Sequence, residues 1–201
     1  MANNMEISRR AFVKSAAAAS AFMIIPRHVL GGRGYKAPSD TLNIGVIGAG
    51  GRGAHDVQAV ISENIVALCD VDEVNAARTF AQFPRANKYK DFRVMLEREP
   101  AIDAVIVATP DHTHAVASLA AIQLGKHVYC EKPLTHTIKE ARVLAQAARE
   151  AGVATQMGNQ GMAFEGNRQI KEWLADGAIG PVHEVHVWSD RPTTRGRLPL
   201  W

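Results

Sequence analysis

Glu131, Lys132 and Pro133 place a carboxylate, an ammonium group and a rigid ring directly after the apolar run that ends at Cys130. A lysine in such a position can donate to a substrate hydroxyl, or stabilise an alkoxide that develops during hydride transfer. Glu131 can orient that lysine, and Pro133 fixes the turn. The alternative is a surface ion pair beside a turn. The interpretation therefore depends on the fold that positions these residues.

The glycine pattern Gly48-x-Gly50-x-x-Gly53 is a second chemical signal, and it lies between an apolar run and a predicted helix. Gly48 permits the tight turn, Gly50 lets the backbone approach a pyrophosphate, and Gly53 allows close packing of helix on strand. The N–H groups and the dipole at the start of the helix would then bind the phosphates. Alone, the pattern is a weak signal, because any sharp turn favours glycine.

Asp70 strengthens the signal, because it closes the next apolar run twenty residues after Gly50. From that position a carboxylate reaches the ribose hydroxyls of adenosine. The same carboxylate would repel a 2′-phosphate, so NAD is the predicted cofactor. Arg52 could offset this repulsion by pairing with a phosphate, which leaves NADP open. Asp72 is predicted to be a solvated residue at the strand end.

The elements that position these residues follow from an alternation of apolar and helical segments after Thr41. Strands are predicted over 42–48, 65–71, 102–109, 126–130 and 153–157, with a short strand or loop near residue 89. Helices are predicted over 53–61, 74–83, 114–124, 138–151 and 165–176, with a shorter one ending near residue 97. This alternation predicts an α/β fold, a doubly wound parallel sheet of the Rossmann type with helices on both faces.

The N-terminus has the character of an export signal. Ser8–Lys14 resembles the bacterial twin-arginine signal, and a mildly apolar stretch, Ala16–Ile25, follows it. The alternative is an amphipathic N-terminal helix on a cytosolic protein. No clear Ala-x-Ala site follows, so the position of cleavage stays open. Because this pathway carries folded proteins, an exported enzyme could acquire its cofactor first, and a periplasmic location is expected.

Three regions are expected along the chain. Residues 1–36 form the signal and linker, and residues 37–160 form the dinucleotide-binding Rossmann domain. Residues 161–201 form the incomplete beginning of a C-terminal α+β domain, because residues 182–188 alternate apolar and polar side chains as in a half-buried antiparallel strand. One strand cannot bury its own face. The chain is therefore interpreted as the front of a longer protein, or as one that a partner completes.

Composition and charge exclude several classes of protein. The net charge is only +3, and much of the basic excess lies in the first 36 residues, so nucleic-acid binding has little support. Cys69 and Cys130 lie in apolar runs and are predicted to be buried core thiols. No apolar run reaches the roughly 18 residues of a spanning helix. No metal site is expected, since His112 and His114 lack a third ligand at useful spacing.

Several segments of the chain resemble the Gfo/Idh/MocA oxidoreductase family, which is named for glucose–fructose oxidoreductase and inositol dehydrogenase. The resemblance covers about residues 42–188, in GVIGAGGRG, CDVD, VATPDHTHAVASLAAIQLGKHVYCEKPLTHT and TQMGNQ. It implies hydride transfer between NAD(P) and a hydroxyl or ketone of a sugar or cyclitol. It also implies a homo-oligomer formed through the C-terminal sheet of the full-length protein.

The resemblance further implies roles for individual residues. Lys132 would be the catalytic lysine, with a cis bond to Pro133, and Glu131 would contact the nicotinamide ribose. His112 and His114 would lie near the nicotinamide half, although either could instead cap or pack at a helix start. The full set of expected cofactor contacts is Gly48, Gly50, Gly51, Arg52, Gly53, Asp70, Thr109, Pro110, His112, His114, Glu131 and Asn159.

A catalytic aspartate–histidine pair of the family has no candidate in the expected place. His183 and His186 would point to opposite faces of a strand and are not assigned to catalysis. The chain is therefore expected to bind a dinucleotide but to turn over poorly. An NAD-dependent glycosidase of the same fold is one alternative, which Lys132 disfavours because such members tend to lack this lysine. A non-catalytic dinucleotide-binding protein is the other. The identity of the substrate stays open.

Overall fold

The structure is a computed structural model that describes residues 36–188; the predicted export signal and the last thirteen residues lie outside this range. A short 3-10 helix, Pro38–Asp40, comes first. The strands are β1 Asn43–Ile47, β2 Asn64–Cys69, β3 Asn87–Tyr89, β4 Ala104–Val107, β5 His127–Glu131 and β6 Thr155–Gly158. The helices are α1 Gly51–Ala59, α2 Glu73–Gln82, α3 Phe92–Arg98, α4 His114–Gln123, α5 Ile138–Ala151 and α6 Glu165–Ala175. Two further 3-10 helices cover Asp111–Thr113 and Gln160–Ala163.

The six strands form one parallel sheet in the order β3-β2-β1-β4-β5-β6. The order reverses between β1 and β4, because the chain first adds strands on one side of β1 and then on the other. This is the doubly wound arrangement of a Rossmann fold, in which ligands bind at the reversal point. The predicted fold class is confirmed.

The central strands form because their solid apolar runs can be buried on both faces of the sheet. Val46 in β1 and Val105 in β4 are fully buried. Cys69 and Cys130 are free, buried thiols, as predicted. Burial, reinforced by nearby acidic charge, raises the pKa of Cys69 to about 12. Burial also raises the pKa of Cys130 to about 11, so both thiols stay protonated in the core.

The two faces of the sheet are covered unequally. Helices α3, α4 and α5 bury one face, whereas α1 and α2 pack on the other, where Val57 and Ala76 are buried. Beside α1 a groove of about 690 Å³ lies over β4, β5 and β6, and Ile106 and Tyr129 line it. The helix α6, which follows β6, has no buried residue. This groove borders one side of the candidate site described below.

Residues just before α2 and α5 cap the N-termini of these helices. Asp72 caps α2, since its carboxylate accepts hydrogen bonds from the N–H groups of Val74 and Asn75, both at 3.0 Å. This adds a capping role to the solvated position predicted for Asp72. At α5, Thr137 and Glu140 form a reciprocal capping box. These caps fix where the loops at the sheet edge turn into helices.

The strand predicted over residues 182–188 is wrong for this structure. The segment has no secondary structure, and Val182, Val185 and Val187 are exposed. An alternating pattern produces a strand only where a neighbouring strand supplies hydrogen bonds and a face to cover, and no strand in residues 36–188 pairs with this segment. A second domain beginning after residue 160 stays a prediction. Among residues 36–188, no helix has the length and apolar character to cross a membrane.

Candidate functional site

The strand ends lie level along one edge of the sheet. Ile47 pairs with Cys69 and with Val107, and Val107 pairs with Cys130. The segments after β1, β2, β3 and β4 enclose a cleft of about 650 Å³ at the reversal point. The predicted site residues that line this cleft are Gly48, Gly50, Gly51, Arg52, Asp70, Thr109, Pro110 and His112.

The glycine turn between β1 and α1 leaves no room for side chains. Gly48 has φ +86°, and a Cβ there would lie 2.7 Å from the backbone of Ala108. A Cβ on Gly53 would lie 1.8 Å from the carbonyl oxygen of Gly48. Gly53 is therefore buried beneath the turn and does not line the cleft, in keeping with the predicted packing of helix on strand.

The N-terminus of α1 is open toward a ligand. Its first residue follows Gly50, and no side chain caps it. The first N–H groups of a helix have no intrahelical partner, so they and the helix dipole favour an anion in front of them. The residues present thus fit the diphosphate of a dinucleotide.

Asp70 lies beside this turn at the end of β2. Its Oδ2 accepts from the N–H of Gly50 at 2.9 Å, and its Oδ1 accepts from the N–H of Asp72 at 2.9 Å. A carboxylate has about four lone-pair sites, so each oxygen of Asp70 keeps acceptor capacity for a hydroxyl. The side chain is half-buried on the wall of the cleft.

Several cleft residues were not singled out from the sequence. Asn75 packs against Gly50, where a Cβ would lie 2.3 Å from its side-chain nitrogen. Lys90 and Phe92 line the cleft from the segment after β3, and Lys90 pairs with Glu73 at 3.1 Å. The order of the strands could have indicated these residues, because the segment after each parallel strand lies at the same edge of the sheet.

His114 lies beneath the cleft lining. Its ring is buried, with Nε2 2.7 Å from the carbonyl oxygen of Thr109 and Nδ1 2.6 Å from that of Pro133. Both ring nitrogens are therefore occupied by main-chain carbonyls. The structure favours packing, the alternative weighed for this residue, over direct contact with a cofactor.

Lys132 is exposed immediately after β5, and its bond to Pro133 is cis, as the resemblance implied. Within residues 36–188 its ammonium group has no hydrogen-bond or ion-pair partner. The bridge through His114 joins Pro133 to Thr109, which lines the cleft. The main chain next to Lys132 is thus held close to a residue of the cleft wall.

Glu131 does not line the cleft. It is only 5% exposed, and its Oε1 accepts a hydrogen bond from Gln160 and forms an ion pair with Nε of Arg52 at 3.2 Å. Tyr129 joins the same network through Gln160 at 2.8 Å. Asn159 is exposed at the end of β6 and lines a separate shallow pocket. Direct contacts of Glu131 and Asn159 with a cofactor stay predictions.

Asp56 completes this cluster, although the sequence did not single it out. It is 6% exposed and pairs with Arg52 at 3.0 Å through Oδ1, while Oδ2 is buried without a hydrogen-bond partner in residues 36–188. Burial raises the pKa of Asp56 to about 6, and the charge of Glu131 adds to this, whereas Arg52 opposes it.

Replacing Asp56 by asparagine is expected to stabilise the protein above pH 6. The folded state binds this proton more tightly than the unfolded state, so the free energy of unfolding falls as pH rises from about 4 to 6. A pKa raised by about two units corresponds to roughly 3 kcal/mol lost at higher pH. Urea unfolding between about pH 4.5 and 8 should show this decline in the wild type and a flatter profile in Asp56→Asn.

Asp91 provides a control, because its pKa is shifted in the opposite direction from that of Asp56. Its carboxylate is hydrogen-bonded to Arg93, and this lowers the pKa of Asp91 to about 2. The stability from this group is present above the ordinary pKa of an aspartate and is lost only in more acidic solution. Asp91→Asn should therefore not gain stability at pH 8. A gain there, or no gain in Asp56→Asn, would contradict the assigned electrostatics.

Within residues 36–188, no group of three or more His, Cys, Asp or Glu side chains is arranged to hold a metal ion. The cleft presents backbone N–H groups and glycines, and its wall carries the carboxylates of Asp70, at the end of β2, and Asp72, which caps α2. This set of groups suits a dinucleotide.

Comparison with known proteins agrees with this geometry. The family described as "Oxidoreductase family, NAD-binding Rossmann fold" matches residues 42–159. Inositol 2-dehydrogenase 2 of Saccharopolyspora erythraea is 34% identical over 154 residues, which are 73% of this chain and 45% of that protein. The chain thus spans about half the length of the curated relatives it matches.

Two solved structures show the same fold with a dinucleotide. GenD2 from gentamicin A biosynthesis, in complex with NAD, has a TM-score of 0.64 at 26% identity, covering 77% of this chain and 43% of that one. A mutant of the 3-ketoreductase KijD10 from Actinomadura kijaniata, in complex with NADP, has a TM-score of 0.63 at 28% identity, covering 70% and 45%. The cleft at the sheet edge and the family match agree: this chain belongs to the Gfo/Idh/MocA family of oxidoreductases with an NAD-binding Rossmann fold.

Proposed function

We propose that this chain is the NAD-binding part of an oxidoreductase that transfers a hydride between the nicotinamide and a hydroxyl or ketone of a sugar or cyclitol. The observation that carries the proposal is Asp70, whose carboxylate contacts the glycine turn at Gly50 beside an uncapped helix N-terminus. This arrangement places a ribose acceptor next to a diphosphate site.

The residues of this chain would bind and orient the cofactor. The first N–H groups of α1 would donate to the diphosphate, and Asp70 would accept from the adenosine ribose. When bound, the nicotinamide supplies the hydride acceptor or donor. Lys132, which is exposed directly after β5, would donate to the substrate oxygen and stabilise the negative charge that grows on it.

The substrate class rests on relatives. Inositol 2-dehydrogenase 2 of Saccharopolyspora erythraea carries a cyclitol in its name. The 1,5-anhydro-D-fructose reductase of Ensifer adhaerens carries a sugar in its name, and it is 43% identical over 82 residues, 41% of this chain and 25% of that protein. We propose a polyhydroxylated ring as substrate, because the names of both relatives contain one. The reacting group would be a secondary alcohol or its ketone, on which a lysine and a nicotinamide can act.

Titration of the full chain with NAD and NADP tests the proposed cofactor. We expect NAD to bind more tightly, because Asp70 repels a 2′-phosphate. Calorimetry or nicotinamide fluorescence would measure both dissociation constants. Tighter binding of NADP would contradict the role of Asp70, and binding of neither by the folded chain would overturn the proposal.

Hydride transfer tests the enzyme itself. We expect little turnover of inositols or aldoses by this chain and measurable NADH formation by a C-terminally extended version. Sugar release without net NADH would instead indicate the glycosidase alternative. Binding of NAD without turnover in the extended version would indicate a non-catalytic dinucleotide-binding protein.

Export and assembly are further parts of the proposal. We infer export to the periplasm from Ser8–Lys14 and the apolar stretch after it. Cell fractionation of an expressing bacterium would test this, and retention in the cytoplasm would contradict it. A homo-oligomer of the full-length protein rests on the resemblance, and sedimentation of the extended version would test it.

A further inference from the structure

Arg52 occupies a position from which it could change the cofactor preference. It lies in the first turn of α1, two residues after Gly50, and its side chain is 47% exposed. It lines both the dinucleotide cleft and the groove beside α1. Asp70 lines the same cleft. A guanidinium with this reach is the kind of group that accommodates the 2′-phosphate of NADP beside such an acid.

The structure shows that this guanidinium is already engaged. Its Nη2 lies 3.0 Å from Oδ1 of Asp56, and its Nε lies 3.2 Å from Oε1 of Glu131. Both carboxylates are more than nine-tenths buried, whereas Arg52 is half-exposed. Removing a cation from two buried anions leaves them uncompensated, which is far costlier than breaking an exposed ion pair. The pair therefore holds the guanidinium toward α1 and β5.

We propose that Asp56 determines cofactor specificity by holding, together with Glu131, the Arg52 guanidinium on the α1–β5 side of the cleft and away from a 2′-phosphate beside Asp70. The inference rests on the dinucleotide binding proposed above. Asp56 does not touch the cofactor; it is a positioning residue that acts through Arg52. In this arrangement the negative charge of Asp70 is not offset by Arg52, and NADP is disfavoured.

Of the two carboxylates that hold Arg52, Asp56 is the better one to substitute. Glu131 also bonds to Gln160 and has a predicted cofactor contact of its own, so its loss would mix two effects. Asparagine keeps the size of Asp56 but removes the charge that attracts Arg52. The substitution is also expected to leave the protein folded, because it removes a buried carboxylate whose second oxygen has no partner in the described range.

The experiment compares NAD and NADP binding to wild type and Asp56→Asn by calorimetry on the full chain, at about pH 8 so that both Asp56 and the 2′-phosphate are ionised. We expect the ratio of the NADP dissociation constant to the NAD dissociation constant to fall about tenfold, the worth of one charge-assisted hydrogen bond. A purely structural role of Asp56 would weaken both cofactors together and leave this ratio unchanged.

Two further variants make the test specific to Arg52. The double variant Asp56→Asn/Arg52→Gln should lose the gain in NADP binding, since it lacks the guanidinium that would bind the 2′-phosphate. Lys90, another cation of the cleft wall, is unchanged in it, so a gain that came from Lys90 would survive. Asp56→Glu keeps the charge and should keep the wild-type ratio. An unchanged ratio in Asp56→Asn, or a gain that survives in the double variant, would overturn this inference while leaving the proposed function intact. Binding of neither cofactor by wild type would overturn both.

Discussion

Gly53→Ala is expected to abolish dinucleotide binding and to lower the free energy of unfolding by about 3 kcal/mol. The new Cβ would lie 1.8 Å from the carbonyl oxygen of Gly48 and 2.9 Å from its carbon. These are backbone atoms, so no side-chain rotation can relieve the contact. Gly48 cannot move away easily, because its φ is +86° and its N–H donates to the carbonyl of Cys69 at 2.8 Å.

Binding should fail along with stability, because the displaced residues carry the site. Moving α1 away from the turn would carry its first N–H groups and Arg52 with it. Urea unfolding and calorimetric titration with NAD would measure the two effects on the same preparation.

Gly166→Ala is the matched control for this substitution. Gly166 lies in α6 with no other heavy atom near its Cβ position, and its φ is not in the left-handed region. Alanine is the better helix former by about 1 kcal/mol, so stability should be unchanged or slightly raised. Wild-type stability and NAD affinity in Gly53→Ala would show that the close contact of α1 with the turn is not required.

The sheet could be predicted from the sequence because its cause is local. Each central strand is a solid apolar run that only burial on both faces explains, and each run is followed by a helical segment. The glycine turn was predictable for a similar reason. Gly48 and Gly53 are five residues apart, and the turn chemistry that requires them acts within that distance.

The cluster around Arg52 could not be predicted in the same way. The pair with Asp56 lies one helical turn away, yet i,i+4 pairs are common on exposed helix faces. The contact with Glu131 joins residues far apart in the chain, and it exists only because the fold brings the end of β5 within reach of the Arg52 side chain. Residue type and edge position predicted a role for Glu131 in the cleft, whereas its side chain is buried on the α1 side.

The segment after α6 shows the opposite limit. Its alternation of Val185 and Val187 with polar residues is typical of a half-buried strand, yet both side chains are exposed. Periodicity indicates which face a segment can bury, but it does not show whether a neighbouring strand is present to cover that face. His114 is a similar case, since a sequence cannot show that two main-chain carbonyls occupy both ring nitrogens.

Asp70→Asn is expected to weaken NAD binding about a hundredfold, because two charge-assisted hydrogen bonds to ribose hydroxyls, each worth about 1.5–3 kcal/mol, are lost or reduced. Asparagine keeps one oxygen acceptor, which can still accept from the N–H of Gly50 or Asp72. NADP binding should weaken less, or improve, since the repulsion of the 2′-phosphate disappears. Calorimetric titration with both cofactors would measure the change.

Asp72→Asn separates a specific contact of Asp70 from the general charge of the cleft. Asp72 also lines the cleft, but its carboxylate caps α2 through the N–H groups of Val74 and Asn75. Asparagine is an equally good N-cap, so stability should be retained and NAD affinity should change by less than about threefold. An equal loss of NAD binding in both variants would mean that net negative charge, and not the position of Asp70, governs recognition of the ribose.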